Sequence, residues 1–143
     1  MKTYQTLLLT IVILAVSCNQ SAQDVAQEQQ KWDEIMAVHD EVMPKMSDIN
    51  RLSEDLTARV STPDSIQMEE QKIIRNHIQG LTNAENGMMD WMGNVRQLDD
   101  VRAETDHAGV MKYLDEEKKK VDELKQQMLQ SIESAETYVK NNK

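Results

Sequence analysis

The chain has 143 residues, and its 16 basic and 25 acidic side chains give a formal net charge of −9. Binding to nucleic acid or to anionic lipid surfaces is therefore excluded as a main role, because phosphate groups attract lysine and arginine. A single cysteine excludes an intrachain disulfide, while ten methionines, no phenylalanine, four glycines and two prolines favour helices.

The first 17 residues have the layout of a bacterial secretory signal. Lys2 precedes an apolar run from Leu7 to Val16, which only Thr10 interrupts. This run is too short for a permanent transmembrane helix, which needs about 20 apolar residues. It matches the hydrophobic region of a cleaved signal peptide, so we expect residues 1–17 to be absent from the mature protein.

The segment Ala15-Val16-Ser17-Cys18 resembles the lipobox of bacterial lipoproteins, with Ala15 where leucine is usual. The resemblance implies cleavage before Cys18 and lipid attachment to Cys18, and several acyl chains hold a protein durably at a membrane. Asn19 follows, where an aspartate would resemble an inner-membrane retention signal, so we expect the outer membrane, facing the periplasm. An ordinary signal peptide and an uncleaved anchor are the alternatives.

A polar tether and a first long helix are expected to follow. We assign residues 18–30 to the lipidated cysteine and tether, with helix from about Asp24, where Asp24–Gln27 resembles a capping box. Residues 31–143 form the predicted bundle domain. Its first apolar seam, spaced three and four residues apart, is Trp32, Ile35, His39, Val42, Met46, Ile49, Ser53, Leu56 and Val60. Pro44 lies outside this seam and predicts a kink, because it cannot donate to the carbonyl of Asp40.

Two further amphipathic segments are predicted. Thr62 and Pro63 are expected at the N-cap and first position of the second. Its seam extends to Leu98, with an earlier end at Gly93-Asn94 as the alternative. The third begins near Thr105 or Asp106. The second seam is Ile74, His77, Leu81, Ala84, Met88, Trp91, Val95 and Leu98. The third is His107, Val110, Leu114, Glu117, Val121, Leu124, Met128, Ser131, Ala135 and Tyr138, and it leans towards Ile132 and Val139.

These segments predict an all-α fold, an elongated antiparallel three-helix bundle running up-down-up with coiled-coil-like seams. A long helical hairpin completed by dimerisation is the alternative. In the bundle, facing residues of the first two helices have numbers that sum to about 123, and those of the last two about 202. This register brings Met88, Met89, Met92 and Met111 towards the end that holds Met36, and Trp32 towards Trp91.

One stripe of the first helix has the side chains of a soft-metal site. Met36, His39, Met43 and Met46 lie at i, i+3, i+7 and i+10. Thioether and imidazole ligands suit Cu(I) in an oxidising compartment. The competing and favoured interpretation is that methionines fill an irregular core that lacks phenylalanine. A site made from all three histidines is not expected, because their levels in the bundle differ by roughly 10 and 16 Å.

Enzyme motifs are absent from the sequence, which contains no HExxH, no glycine-rich phosphate loop and no Gly-x-Ser-x-Gly. We therefore expect a protein that is not an enzyme and has no cofactor.

A family resemblance covers most of the mature chain. Trp32–Met46, which ends in His-Asp-Glu-Val-Met-Pro-Lys-Met, resembles the first helix of a group of small helical bacterial lipoproteins of unknown function. Met88–Met92 and Tyr113–Val121 resemble the second and third helices of that group. Its members often carry the automatic label "viral A-type inclusion protein", which reflects generic coiled-coil similarity. The resemblance implies no catalytic or binding residues.

The sequence thus predicts a lipid-anchored helical bundle of the cell envelope, acting as a non-enzymatic scaffold or interaction module. Its expected partners are the membrane, through the acyl chains, and either another envelope protein or a second copy of the chain. The alternative function is periplasmic Cu(I) handling by the Met/His stripe.

Overall fold

The computed structural model describes residues 21–61 and 67–142, and every regular element in these ranges is helical. The elements are α1 (Ala22–Val42), a 3-10 turn (Met43–Lys45), α2 (Met46–Val60), α3 (Met68–Asn94), α4 (Leu98–Glu104) and α5 (His107–Asn141). The helices α1, α2, α3 and α5 pack together around one core. The predicted all-α class is confirmed. The signal peptide, Cys18 and the helix start at Thr62 and Pro63 lie outside the described residues.

The first helix begins at Ala22, earlier than the sequence suggested. The Ser21 hydroxyl accepts a hydrogen bond from the Asp24 N–H at 3.1 Å, and the Asp24 carboxylate accepts one from the Ser21 N–H at 3.0 Å. The capping box is therefore Ser21–Asp24 rather than Asp24–Gln27. The bond from Ser21 also lowers the pKa of Asp24. Within the segment assigned to the tether, residues 22–30 are helical and Glu28 is fully buried.

Pro44 changes the hydrogen-bonding pattern of the chain between α1 and α2. The backbone stays in the right-handed helical region, and the N–H of Met46 reaches the carbonyls of Met43 and Pro44. The Ser47 hydroxyl donates to the Pro44 carbonyl at 2.8 Å. A single turn of 3-10 helix accommodates the missing N–H of proline.

Polar contacts show that α1 and α2 run in the same direction as α5. The pairs are Glu41 with Lys125, Arg51 with Glu136, and Arg59 with the carbonyl of Asn142, which are 84, 85 and 83 positions apart. A constant separation along two helices requires a common direction.

The third helix runs in the opposite direction to α5. Its contacts are Glu70 with Tyr138, His77 with Ser134, and Trp91 with Glu117, which are 68, 57 and 26 positions apart. The separation shrinks towards the C-terminal end of α3, as it must when two helices are antiparallel.

The helix α3 ends at Asn94, the earlier of the two ends that the sequence left open, and α5 begins at His107, next to the predicted Asp106. The Asn94 side chain donates to the Asp90 carbonyl at 2.6 Å, and Val95 is extended. Asp106 caps α5 by accepting from the Gly109 N–H at 3.0 Å. The short helix α4, which lies between them, was not predicted. No helix within residues 21–61 and 67–142 is both long and apolar enough to cross a membrane.

The core contains most of the predicted seam positions, and the buried position is shifted by one residue in α2, from Ser53 to Leu52, and in α5, from Ser131 to Ile132. Leu52 is 1% exposed, whereas the neighbouring Ser53, which the heptad pattern placed in the seam, is only partly buried. The reason is that α2 contacts both α3 and α5. A helix with two neighbours buries a wider stripe of residues than a helix in a two-helix seam does. The stripe of α2 therefore includes Leu52, whose side chain is larger and more apolar than that of Ser53.

Replacing Leu52 with alanine should lower the free energy of unfolding by about 2–5 kcal/mol, because the change leaves a cavity in a packed core. Ser53→Ala, the matched control at the adjacent position, should change it by less than about 0.5 kcal/mol. Urea unfolding followed by circular dichroism measures both. Equal effects of the two substitutions would contradict the position of α2 in the core.

Candidate functional site

The most distinctive side-chain arrangement surrounds His39 on α1. Its Nε2 atom lies 3.1 Å from the Sδ atom of Met92 on α3. Its Nδ1 atom lies 2.9 Å from a carboxylate oxygen of Asp40. The side chain of His39 is 17% exposed. Its ring centroid is 5.9 Å from that of Trp91, with the two rings inclined by 38°. One histidine thus contacts a carboxylate, a thioether and an aromatic ring.

Trp91 is held in place by a buried carboxylate on α5. Its Nε1–H donates to Glu117 at 2.8 Å, and the other oxygen of Glu117 accepts from Lys120 at 2.7 Å. Glu117 is 5% exposed. The hydrogen bond to Glu117 raises the pKa of Lys120 and keeps its ammonium charged. These bonds fix the position of the indole ring relative to α5.

A groove of about 390 Å³ is lined by residues of α3 and α5 near Trp91 and Glu117. Its lining includes Asp90, Asn94, Lys120, Leu124 and Gln127. The groove is thus lined by apolar side chains together with charged and amide side chains.

The four residues predicted as metal ligands all lie in partly buried positions. Met36, Met43 and Met46 pack against the core, as does Met92. The predicted group on α3 is divided by the fold: Met88 is fully buried, Met92 contacts His39, and Met89 is 52% exposed. Core filling therefore describes Met88, whereas Met92 has a polar partner.

The register between α1 and α3 differs from the prediction by about one heptad. His39 was expected opposite residue 84 but lies beside Trp91 and Met92. The cause is the length of the connection, since α2 ends at Val60 and α3 begins at Met68. The sequence prediction begins the second helix at Pro63, which makes the connection shorter.

The other two histidines have separate environments. The ring of His77 is 5.0 Å from that of Tyr138, and its Nδ1 is 3.4 Å from the Ser134 hydroxyl. Burial lowers the pKa of His77. His107 contacts Glu28. No three His, Cys, Asp or Glu side chains are grouped to hold a metal ion within the part of the chain that the structure describes.

A second buried carboxylate, Glu28, joins α1 to the α4–α5 region. Glu28 is 0% exposed and accepts from Arg102 Nε at 2.8 Å, while His107 Nδ1 lies 2.9 Å from its other oxygen. Arg102 also donates to the Val25 carbonyl at 3.1 Å. Sequence reasoning missed this cluster. The available signal was the spacing, because Glu28 lies one helical turn before Trp32 and extends the first seam.

Replacing Glu28 with glutamine should lower the free energy of unfolding by about 1.5–3 kcal/mol, because the hydrogen bonds lose their charged acceptor. The control is Glu34→Gln, since the exposed Glu34 accepts only from Gln30 within α1. This change should cost less than about 0.5 kcal/mol. Urea unfolding distinguishes the two, and equal values would contradict the structural role of Glu28.

Comparison with known proteins yields no relative: no family model, curated protein or solved structure matches the chain.

Proposed function

We propose that this protein is a lipid-anchored, non-enzymatic scaffold or interaction module of the cell envelope, held by acyl chains on Cys18 at the periplasmic face of the outer membrane. The observation that carries the proposal is the start of α1 at Ala22. Three residues separate it from Cys18, and a chain of that length reaches at most about 14 Å. The acyl chains would hold the helical body close to the bilayer.

The same attachment gives the helical body an orientation. The Glu28–Arg102–His107 cluster joins the start of α1 to α4 and the start of α5, so this end would face the lipid. The helix α5 has 35 residues and is therefore about 50 Å long. The opposite end of the body would present its surface at that distance from the membrane.

The finer architecture belongs to this proposal. The helices α1 and α2, joined by a kink at Pro44, would form one arm of an up-down-up three-helix bundle, and α3 and α5 the other two. The common direction of α1, α2 and α5 and the opposite direction of α3 support it. The resemblance to small helical lipoproteins supports the envelope assignment and carries no activity.

Replacing Cys18 with serine should abolish incorporation of radiolabelled palmitate and release the protein from outer-membrane fractions, or leave the precursor unprocessed, because the lipid acceptor is lost. Ser17→Ala is the matched control, since it keeps a small residue before the cysteine and should preserve labelling. Fractionation and gel mobility measure the result. Unchanged processing and membrane retention of the serine variant would disprove the anchor.

The scaffold role requires a stable partner in the envelope. After crosslinking in intact cells, affinity capture of the tagged chain should recover one defined envelope protein or a covalent dimer of the chain. Recovery of the uncrosslinked monomer alone would contradict this role.

A second candidate function is periplasmic Cu(I) handling by Met36, His39, Met43 and Met46. The observation in its favour is that His39 lies against a thioether, although that thioether belongs to Met92 on α3; imidazole and thioether are ligands that Cu(I) prefers.

A further inference from the structure

We propose that His39 and Met92 form a binding site for a soft monovalent metal ion, Cu(I), that bridges α1 and α3. The site differs from the single-helix stripe, because one ligand comes from each of two helices. The choice of Cu(I) as the bound ion rests on the second candidate function. The site is independent of the lipid anchor and of the scaffold role.

Asp40 orients the imidazole for this task. When the Nδ1–H of His39 donates to the Asp40 carboxylate 2.9 Å away, the Nε2 atom carries a lone pair. Metal-binding histidines commonly donate their second ring N–H to a carboxylate in this manner, which fixes the tautomer and makes the ligating nitrogen more basic.

The lone pair of Nε2 then faces a sulfur atom that has no hydrogen to donate. The distance from Nε2 to the Sδ of Met92 is 3.1 Å. In this tautomer two electron-pair donors face each other, and a cation that binds both replaces their repulsion with ligation. Metal–nitrogen and metal–sulfur bonds are about 2.0 and 2.3 Å long. With these bond lengths a trigonal N–metal–S angle of about 120° puts the two atoms about 3.7 Å apart, so the flexible side chain of Met92 shifts by about 0.6 Å when the ion binds.

The surroundings favour a soft cation over a hard one. His39 and Met92 are partly buried, so a bound ion loses much of its water and gains from a polarisable sulfur ligand. The ring of Trp91 lies beside His39, and aromatic rings attract cations. Met36 lies three residues before His39 on α1, and Met43 lies four residues after it at the start of the 3-10 turn, so both are candidates for a further thioether ligand.

The competing explanation is an ordinary packing contact, in which Nε2 carries the proton and donates to the sulfur of Met92. The two explanations differ in what Met92 contributes. Removing its sulfur abolishes a metal site, whereas it leaves a packing contact largely replaceable by leucine, which has a similar volume.

Titration with Cu(I) separates them. The full chain carrying Cys18→Ser is used, because a free thiol would compete for the metal. Under anaerobic, reducing conditions and in competition with a chromophoric Cu(I) chelator, it should bind one equivalent with a submicromolar Kd. His39→Asn and Met92→Leu should each weaken binding by tenfold or more. Two control substitutions should change the Kd less than twofold. Met89→Leu alters an exposed methionine of the same helix, and His77→Asn removes a histidine that lies beside Tyr138.

Methyl NMR of methionine-labelled protein provides a readout that does not depend on a variant. One equivalent of Cu(I) should shift the methyl resonance of Met92, whereas that of Met68, which is 87% exposed, should stay in place. Circular dichroism checks that each variant remains helical.

Three results would overturn the proposal: no submicromolar binding, binding by Met92→Leu as tight as in the parent, or an unmoved Met92 resonance. Binding that survives Met92→Leu but is lost in Met43→Leu would assign the metal to the stripe of Met36, His39, Met43 and Met46 instead. Membrane attachment is not measured in this assay, so failure of the metal site leaves the test at Cys18 unaffected.

Discussion

The structure depends on the burial of one apolar stripe from each long helix against the others. An isolated amphipathic helix is marginal in water, and most of its stability comes from tertiary packing of its apolar face. The helix α5 contacts both α1 and α3, and its buried side chains run from Val110 to Ala135. Because the chain lacks phenylalanine, methionines such as Met88 and Met128, both fully buried, fill part of this interior.

Two buried carboxylates determine how the helices are matched along their length. A buried charge is costly unless it is hydrogen-bonded, so each must find its partners in the folded chain. Glu28 does so with Arg102 and His107, and Glu117 with Trp91. No buried side-chain nitrogen or oxygen among the described residues lacks a partner. Packing alone tolerates sliding by a heptad, whereas these polar contacts require particular neighbours.

The arrangement around His39 is a consequence of the register between the helices. Glu117 positions Trp91, and the next residue, Met92, is thereby placed against the imidazole of His39. The cluster at Glu28 secures the end of the molecule that follows Cys18. One buried acid therefore supports the proposed attachment end, and the other supports the proposed metal site. The two proposals concern different parts of the molecule.

The sequence by itself determined the helical class and most core positions, including Ile35, Ile74 and Val110, because the period of the apolar residues reports which face is buried. It also located the start of α5 near Asp106, because an N-cap is a local signal. Tertiary structure decided the start of α1, the choice of Leu52 over Ser53 and the pairing of His39 with Met92. A heptad pattern repeats every seven residues and leaves the register between helices open. Connection lengths and buried polar contacts between distant residues set that register.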